Sequence, residues 1–406
     1  MSISKIEQGG VTSPAGFVAG TAAAAIKKPG RPDVALVVSK RPSTAAAVFT
    51  QNQVVAAPVI VDRETIAQNA HHIRAVVANA GNANACTGEP GLVNTREMQR
   101  ITAASLNCDP AQILVLSTGV IGVQLPMERL AQGIRQAAQQ LDAAQGSTAA
   151  RAIMTTDTVA KETAVSVQLS GGMVTIGGMA KGSGMIHPNM ATMLGVLTTD
   201  AVIGAEQLQG MLVTAVDLSF NRISVDGDTS TNDTVLLLAN GASDISVATQ
   251  ADIALFEQAL TQVCRYLAHQ IVRDGEGATK FVTLHISGAT SDTAAHRIAE
   301  TIATSPLVKT AFAGSDANWG RILAAAGRAG IPFDQHQVSL YIEGENKLQL
   351  VANGTPTNYA EAEAAAIFAQ AEFAIHLDLN SGPGQATLWT TDLSHDYVSI
   401  NADYRT

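Results

Sequence analysis

The chain has 406 residues, 46% of them apolar, 15% charged and 4% aromatic, with a net charge of −10. That length suits two domains or one large α/β domain with a substantial core. The acidic balance excludes phosphate-backbone binding as a main role, and the few aromatics argue against a base-stacking platform, so no nucleic-acid partner is expected. Charge is uneven: residues 1–191 hold 15 Lys+Arg against 11 Asp+Glu, and residues 192–406 hold 10 against 24, an asymmetry that fits a division near residue 191.

Cys86, Cys108 and Cys264 have no metal-ligand spacing, and no metal site is expected. A sparse, odd set of this kind fits a reducing, cytoplasmic setting. The apolar patch at Phe17–Ile26 contains glycine and threonine and is preceded by both a lysine and a glutamate, unlike a signal peptide. No run approaches the ~20 apolar residues of a membrane span, so no membrane association is expected.

In chain order, Asp33–Ser39, Ala45–Thr50 and Val59–Asp62 read as strands, and Arg63–Ala70 as a short helix. Ile73–Asn79 is a further strand, and Gly81–Gly91 a Gly/Asn/Pro loop. Asn94–Leu106 is helical by pattern, with Asn94 as cap and Glu97 at the capping-box position. Gln112–Leu116 reads as a buried strand that stops at Ser117-Thr118-Gly119, a small polar end suited to showing backbone N–H groups to a ligand. Helices at Met127–Ala144 and Ala149–Met154 lead to Thr155-Thr156-Asp157-Thr158, and Glu162–Leu169 with Met173–Ile176 form a hairpin.

Gly177–Leu194 (GGMAKGSGMIHPNMATML) fits no ordinary element. Its glycines permit close approach and unusual backbone angles. Pro188 restrains His187, and Thr192–Thr199 turns apolar and β-like. A constrained bend delivering the Thr192 hydroxyl to the start of a strand is the reading.

Beyond it, Ala205–Leu218, Asp252–Ile271, Asp292–Ser305, Asn318–Ala329 and Glu361–Ala369 are helical by pattern. Lys280–Ser287, Val338–Ile342, Leu348–Val351, Glu372–Leu379 and Ala386–Thr391 read as strands. Asn221–Leu238 is a polar loop entering an apolar strand. Its Asp226, Asp228 and Asp233 read as turn and cap residues, since the glycine and terminal glutamate of a calcium loop are misplaced. Hairpins interrupt the alternation of strands and helices, which predicts an α/β fold of layered mixed sheets, not a doubly wound Rossmann sheet.

Phosphate-cradling, zincin and paired-CxxC motifs are absent, and Lys181 stands where a GxSxG elbow needs its first glycine. A threonine needs no histidine if the peptide bond before it is cut, because its own freed α-amine, with an ordinary pKa of about 7.7–8.0, can take the hydroxyl proton.

GGMAKGSGMIHPNMATML resembles the signature of the ornithine acetyltransferases, the glutamate N-acetyltransferases of arginine biosynthesis. VTSPAGFVAG, NANACTG, STG, MTTDT, SVDGDTSTNDT, DGEGATKF and SDANWGRI resemble family blocks in family order, over essentially the whole chain.

The resemblance implies an ornithine acetyltransferase-like fold and self-cleavage between Ala191 and Thr192. Residues 1–191 would form an N-terminal (alpha) chain, and residues 192–406 a C-terminal (beta) chain that begins with the nucleophile Thr192. It further implies an oxyanion pair, Thr118 and Gly119, and substrate contacts at Thr155, Lys181, Thr192, Glu276, Asn401 and Thr406. The implied substrates are N2-acetylornithine and glutamate, and the implied assembly is a heterotetramer of two alpha and two beta chains. No cofactor is implied; acetyl-CoA is left open as a further acetyl donor. The alternative is an N-terminal-nucleophile amidohydrolase or aminopeptidase, which would pass its acyl group to water.

Overall fold

A computed structural model describes residues 2–27, 30–187 and 193–403. Among these, nine strands form one sheet: β1 (Ile3–Ile6), β2 (Phe17–Ala22), β3 (Val34–Phe49), β4 (Ile73–Asn82), β5 (Ile113–Val120), β6 (Lys161–Leu169), β7 (Gly172–Lys181), β8 (Leu194–Thr199) and β10 (Thr234–Ala239). A second sheet holds β9 (Ile223–Ser224), β11 (Phe281–Ala289), β12 (Ser339–Glu343), β13 (Lys347–Ala352), β14 (Thr355–Pro356), β15 (Glu372–Asp378) and β16 (Gly384–Thr391). Both sheets mix parallel and antiparallel pairs, as the irregular alternation predicts.

The first sheet folds back on itself at β3. One end of β3 pairs with β2 and β4, the other with β10, and the register shifts between Val38 and Ser43. The two halves share a core in which Val76 and Leu114 meet Val196 and Leu236. On the outer faces lie α2 (Gly88–Leu106) and α3 (Met127–Gln139) on one side, and α5 (Ala205–Asp217) and α6 (Gln250–Arg273) on the other. The result is a helix–sheet–sheet–helix stack. Two shorter helices, α1 (Ala57–Asn69) and α4 (Gly146–Ala152), complete this half. The second sheet packs one face on α7 (Asp292–Ala303), α8 (Pro306–Ala313), α9 (Trp319–Gly327) and α10 (Glu361–Phe368), and α11 (His395–Asp403) follows its last strand.

Several predicted elements differ from those observed. The strand read at Val59–Asp62 is part of α1: Pro58 sits in the helix's first turn, and Val59, Val61 and Thr65 are buried. Asp62, fully buried, accepts the Val115 N–H at 2.8 Å, covering an otherwise open sheet edge. The loop read through Gly91 ends early, because α2 starts at Gly88; Asn94 is interior, and Glu97 pairs with Arg100 at 2.6 Å instead of capping. The two strands read at 33–39 and 45–50 are one, bent around Pro42. Met127–Ala144 stops as a regular helix at Gln139, and α8 and α11 carry no signal strong enough to be read.

The opening of the Gly-rich stretch is also ordinary strand, since Gly177–Lys181 completes β7. A Cβ on Gly177 would lie 2.2 Å from the Gly10 carbonyl oxygen, and one on Gly178 2.6 Å from Leu197. These two glycines therefore serve close packing of a strand, not a bend.

Position 191 falls between paired strands: β7 runs antiparallel to β8, and β10 pairs with both β8 and β3.

Candidate active site

The ends of β5 and β7, the loop after α4, the 226–232 loop and the turn before β11 converge on one cleft, closed on a further side by α11. Thr118, Gly119, Thr155, Lys181, Glu276 and Asn401 all line it, beside Asp226, Asp228, Asn232 and Tyr397. Thr192, Ala191 and Thr406 lie outside the described residues.

Thr118 and Gly119 sit on β5, which continues to Val120 and does not stop before them as predicted. Gly119 has φ +132°, and a Cβ there would lie 2.3 Å from the Gly81 carbonyl carbon on β4. Only glycine fits this strained crossing of two strand ends. Asn232 fixes the same corner by donating to the carbonyls of Ser117 at 2.9 Å and Ala83 at 2.6 Å.

Lys181 is the last residue of β7, paired in register with Leu194. Its buried ammonium donates to Thr155 Oγ1 at 2.7 Å and Thr118 Oγ1 at 3.4 Å, with Asp157 Oδ2 3.9 Å away. Burial pulls its pKa below the usual lysine value, and Asp157 works against that pull.

Asp157 is the hub of this corner. One oxygen accepts from the Gly182 N–H and the Lys161 ammonium, each at 2.7 Å, and the other from the Thr155 N–H at 2.9 Å. Burial alone would raise this carboxyl, but the ammonium groups of Lys181 and Lys161 overcome that and hold it at about 2. Lys161 also donates to Asp274 Oδ2 at 2.5 Å, and Asp274 accepts the Thr158 N–H at 3.0 Å. The loop bearing Thr155 is thus tied to the turn bearing Glu276.

That turn is held from two more sides. Ser183 Oγ donates to the Asp274 carbonyl at 2.6 Å, and the Glu276 N–H donates to the Ser183 carbonyl at 2.8 Å. Glu276 lies so close to Gly184 that a Cβ there would meet its carboxyl carbon at 2.4 Å, and its Oε2 accepts from Asn401 at 2.8 Å. Asp226 accepts the N–H groups of Met185 at 2.6 Å and Ile186 at 2.8 Å, and Asp233 accepts that of Met193 at 3.0 Å. Asp226 also accepts the Asp228 N–H at 3.3 Å, the local turn role read from the sequence, whereas the bonds to Met185, Ile186 and Met193 tie a distant segment. Among the described residues, no group of three His, Cys, Asp or Glu is arranged to hold a metal ion, and no helix is long and apolar enough to cross a membrane.

Asp157, Lys161 and Asp274 carry no site assignment in the sequence reading. Asp157 and Asp274 stand inside or beside quoted motifs, MTTDT and DGEG, and that adjacency was the only signal. A lone lysine opening a strand gives none.

The profile of the ArgJ family matches residues 18–406. The chain belongs to this family. It is 50% identical over 402 residues to the arginine biosynthesis bifunctional protein ArgJ of Symbiobacterium thermophilum, covering 98% of this chain and 99% of that protein. With the arginine biosynthesis bifunctional protein ArgJ of Dehalococcoides mccartyi it shares 48% identity over 409 residues, 100% of this chain and 99% of the relative. A crystal structure of ornithine acetyltransferase from Mycobacterium tuberculosis, complexed with ornithine, is 39% identical; it matches 46% of this chain and 98% of that one with a TM-score of 0.43. The family resemblance read from the Gly-rich signature is borne out, as is a layered α/β fold distinct from the Rossmann type.

Proposed function

We propose that this chain moves the acetyl group of N2-acetylornithine to glutamate, through an acetyl ester on Thr192, as a step of arginine biosynthesis. The observation that carries the reading is the cleft itself. A buried cation, Lys181, stands at one end beside Thr118 and Gly119, and the carboxylates Glu276, Asp226 and Asp228 stand around it. Such a pocket suits a small substrate with a carboxylate, an amide and a distant ammonium. The family relatives' names agree with it.

In this reading the precursor cuts itself between Ala191 and Thr192, and the freed α-amine takes the proton of Thr192 Oγ as it attacks the acetyl carbonyl. Thr118 Oγ1–H and the Gly119 N–H stabilise the oxyanion. Ornithine leaves, and the amine of glutamate attacks the ester. Lys181 holds the α-carboxylate, with Thr155 beside it; Glu276, with Asn401 bonded to it, or the terminal carboxylate of Thr406, receives the ammonium. Acetyl-CoA serves as a second donor in the bifunctional form of the activity. Two alpha and two beta chains assemble in the cytoplasm, each pair held by the β7–β8 and β3–β10 ladders.

The test is initial-rate kinetics with N2-acetylornithine and glutamate both varied. Parallel double-reciprocal lines are expected; intersecting lines, or acetate released without glutamate, overturn the reading. Thr118→Val is expected to lower kcat about a hundredfold, the ~3 kcal/mol of one lost oxyanion donor, with little change in KM. Lys181→Met is expected to raise KM for N2-acetylornithine at least tenfold, the scale of a lost charged hydrogen bond. An unchanged KM would remove the carboxylate role.

A further inference from the structure

The proposed cut between Ala191 and Thr192 has described residues on both sides, and the two sides are held by different sheets. Resting on that proposed cut, we infer that Glu300 is a positioning residue for it: through His187, Glu300 fixes the upstream side of the bond to the second-sheet half, and the chain is cut only once that half is in place.

Downstream, the Met193 N–H donates to Asp233 Oδ1 at 3.0 Å, and the Met193 carbonyl accepts from the Thr234 N–H at 3.2 Å. Leu194 then opens β8, paired with Lys181 of β7 and Thr234 of β10. All of these partners belong to the first sheet or the loop entering it. Upstream, the Ile186 carbonyl accepts the Val225 N–H at 2.8 Å, just past β9, and β9 pairs with β16 in the second sheet. His187 reaches deeper into that half. Its Nδ1 lies 3.4 Å from Ser224 Oγ on β9 and its Nε2 3.1 Å from Glu300 Oε1 on α7, with imidazole and carboxylate both largely buried. Arg297, one turn earlier on α7, donates to Glu300 Oε2 at 3.1 Å and steadies the carboxylate. The hydrogen bond from His187 holds the Glu300 carboxyl below its usual value, and a contact so shielded is worth more than a surface ion pair. Neither His187 nor Glu300 lines the cleft, so their contact has no part in transfer. Its part is in the order of events. The chain is made from its N-terminus, and α7 lies far downstream of the cut. A cut made before β8 and β10 pair with β7 and β3 would release residues 192–406 from the rest. A bond aligned only when α7 holds His187 avoids that, because an internal attack depends on placement to within about 1 Å.

The experiment follows cutting and transfer separately in freshly synthesised full-length chains. Cutting is read as loss of the uncut band on denaturing gels, and transfer as acetyl movement from N2-acetylornithine to glutamate per cut chain. Glu300→Ala is expected to slow cutting about tenfold to a hundredfold, the cost of a misplaced bond, and to leave kcat and KM per cut chain unchanged. Glu300→Gln keeps an oxygen facing His187 Nε2 and should cut within about threefold of the wild-type rate. His187→Ala should match Glu300→Ala, and the double variant should be no slower than either alone, since both remove one contact. Cutting at the wild-type rate in Glu300→Ala, additive effects in the double variant, or a loss of transfer per cut chain as large as the loss of cutting overturns the inference. A wild-type chain that is never cut overturns the reading beneath it.

Discussion

Thr192→Ala is expected to run as a single 42.0 kDa species on a denaturing gel and to lose acetyl transfer entirely, whereas the wild type is expected to give two fragments, residues 1–191 and 192–406. One substitution removes two functions because the same hydroxyl is proposed to attack first its own peptide bond and then the substrate. The described residues on either side are well anchored. Asp226 holds the Met185 and Ile186 N–H groups, Glu300 meets His187 Nε2 at 3.1 Å, and Asp233 holds the Met193 N–H. Fixed flanks favour a productive internal attack at the proposed Ala191–Thr192 bond. Thr192→Ser is the control: it keeps the hydroxyl, so it should still cut and still transfer. Because β8 and β10 are laced into the sheet of β3 and β7, the wild-type fragments should co-elute from a gel-filtration column without denaturant. A Thr192→Ala chain that is cut, or one that transfers acetyl groups, would remove Thr192 from both roles.

The chemistry-bearing positions were legible in the sequence to the extent that motifs carry them. The blocks STG, MTTDT, DGEG and the Gly-rich signature are far apart along the chain, and the fold brings all four to one cleft. The continuous, mainly apolar runs were legible too: β8 and β10 are buried on both faces. Elements fixed by tertiary contacts were not. The β-branched run of α1 reads as strand, and becomes helix because packing decides between periods that a short apolar run leaves open. Gly177 and Gly178 read as a bend because glycine alone does not say whether its missing Cβ frees a torsion or admits a neighbour. For Lys161, neighbours in sequence hold no trace of Asp274, 113 residues away.

Lys161→Met is expected to cost about 3–5 kcal/mol of stability, the scale of breaking a buried ion pair by removing one partner, read as a fall in the denaturant midpoint. Lys161 is 1% exposed and bridges Asp157 and Asp274, so its removal leaves Asp274 without a cation in the interior and Asp157 with Lys181 alone. The pH dependence fixes the sign. Asp157 titrates at about 2 in the fold against about 3.9 in an unfolded chain. Its contribution is thus complete above the unfolded value and is lost as pH falls towards 2. Without Lys161, one of the two ammonium groups holding that carboxyl down is gone, and the stability lost on acidification should disappear at a higher pH than in the wild type. The double variant Lys161→Met/Asp274→Asn separates an electrostatic cause from a packing one: it should regain part of the loss, because the amide removes the carboxylate charge left without a cation while keeping the side chain's shape. If the double variant is no more stable than Lys161→Met alone, or if the acid profile does not move, the lysine acts by filling space and not by joining the two loops through charge. The same linkage reaches the cleft, since Asp157 orients the Thr155 and Gly182 N–H groups beside Lys181; a loosened hub should therefore lower kcat at temperatures where the variant is still folded.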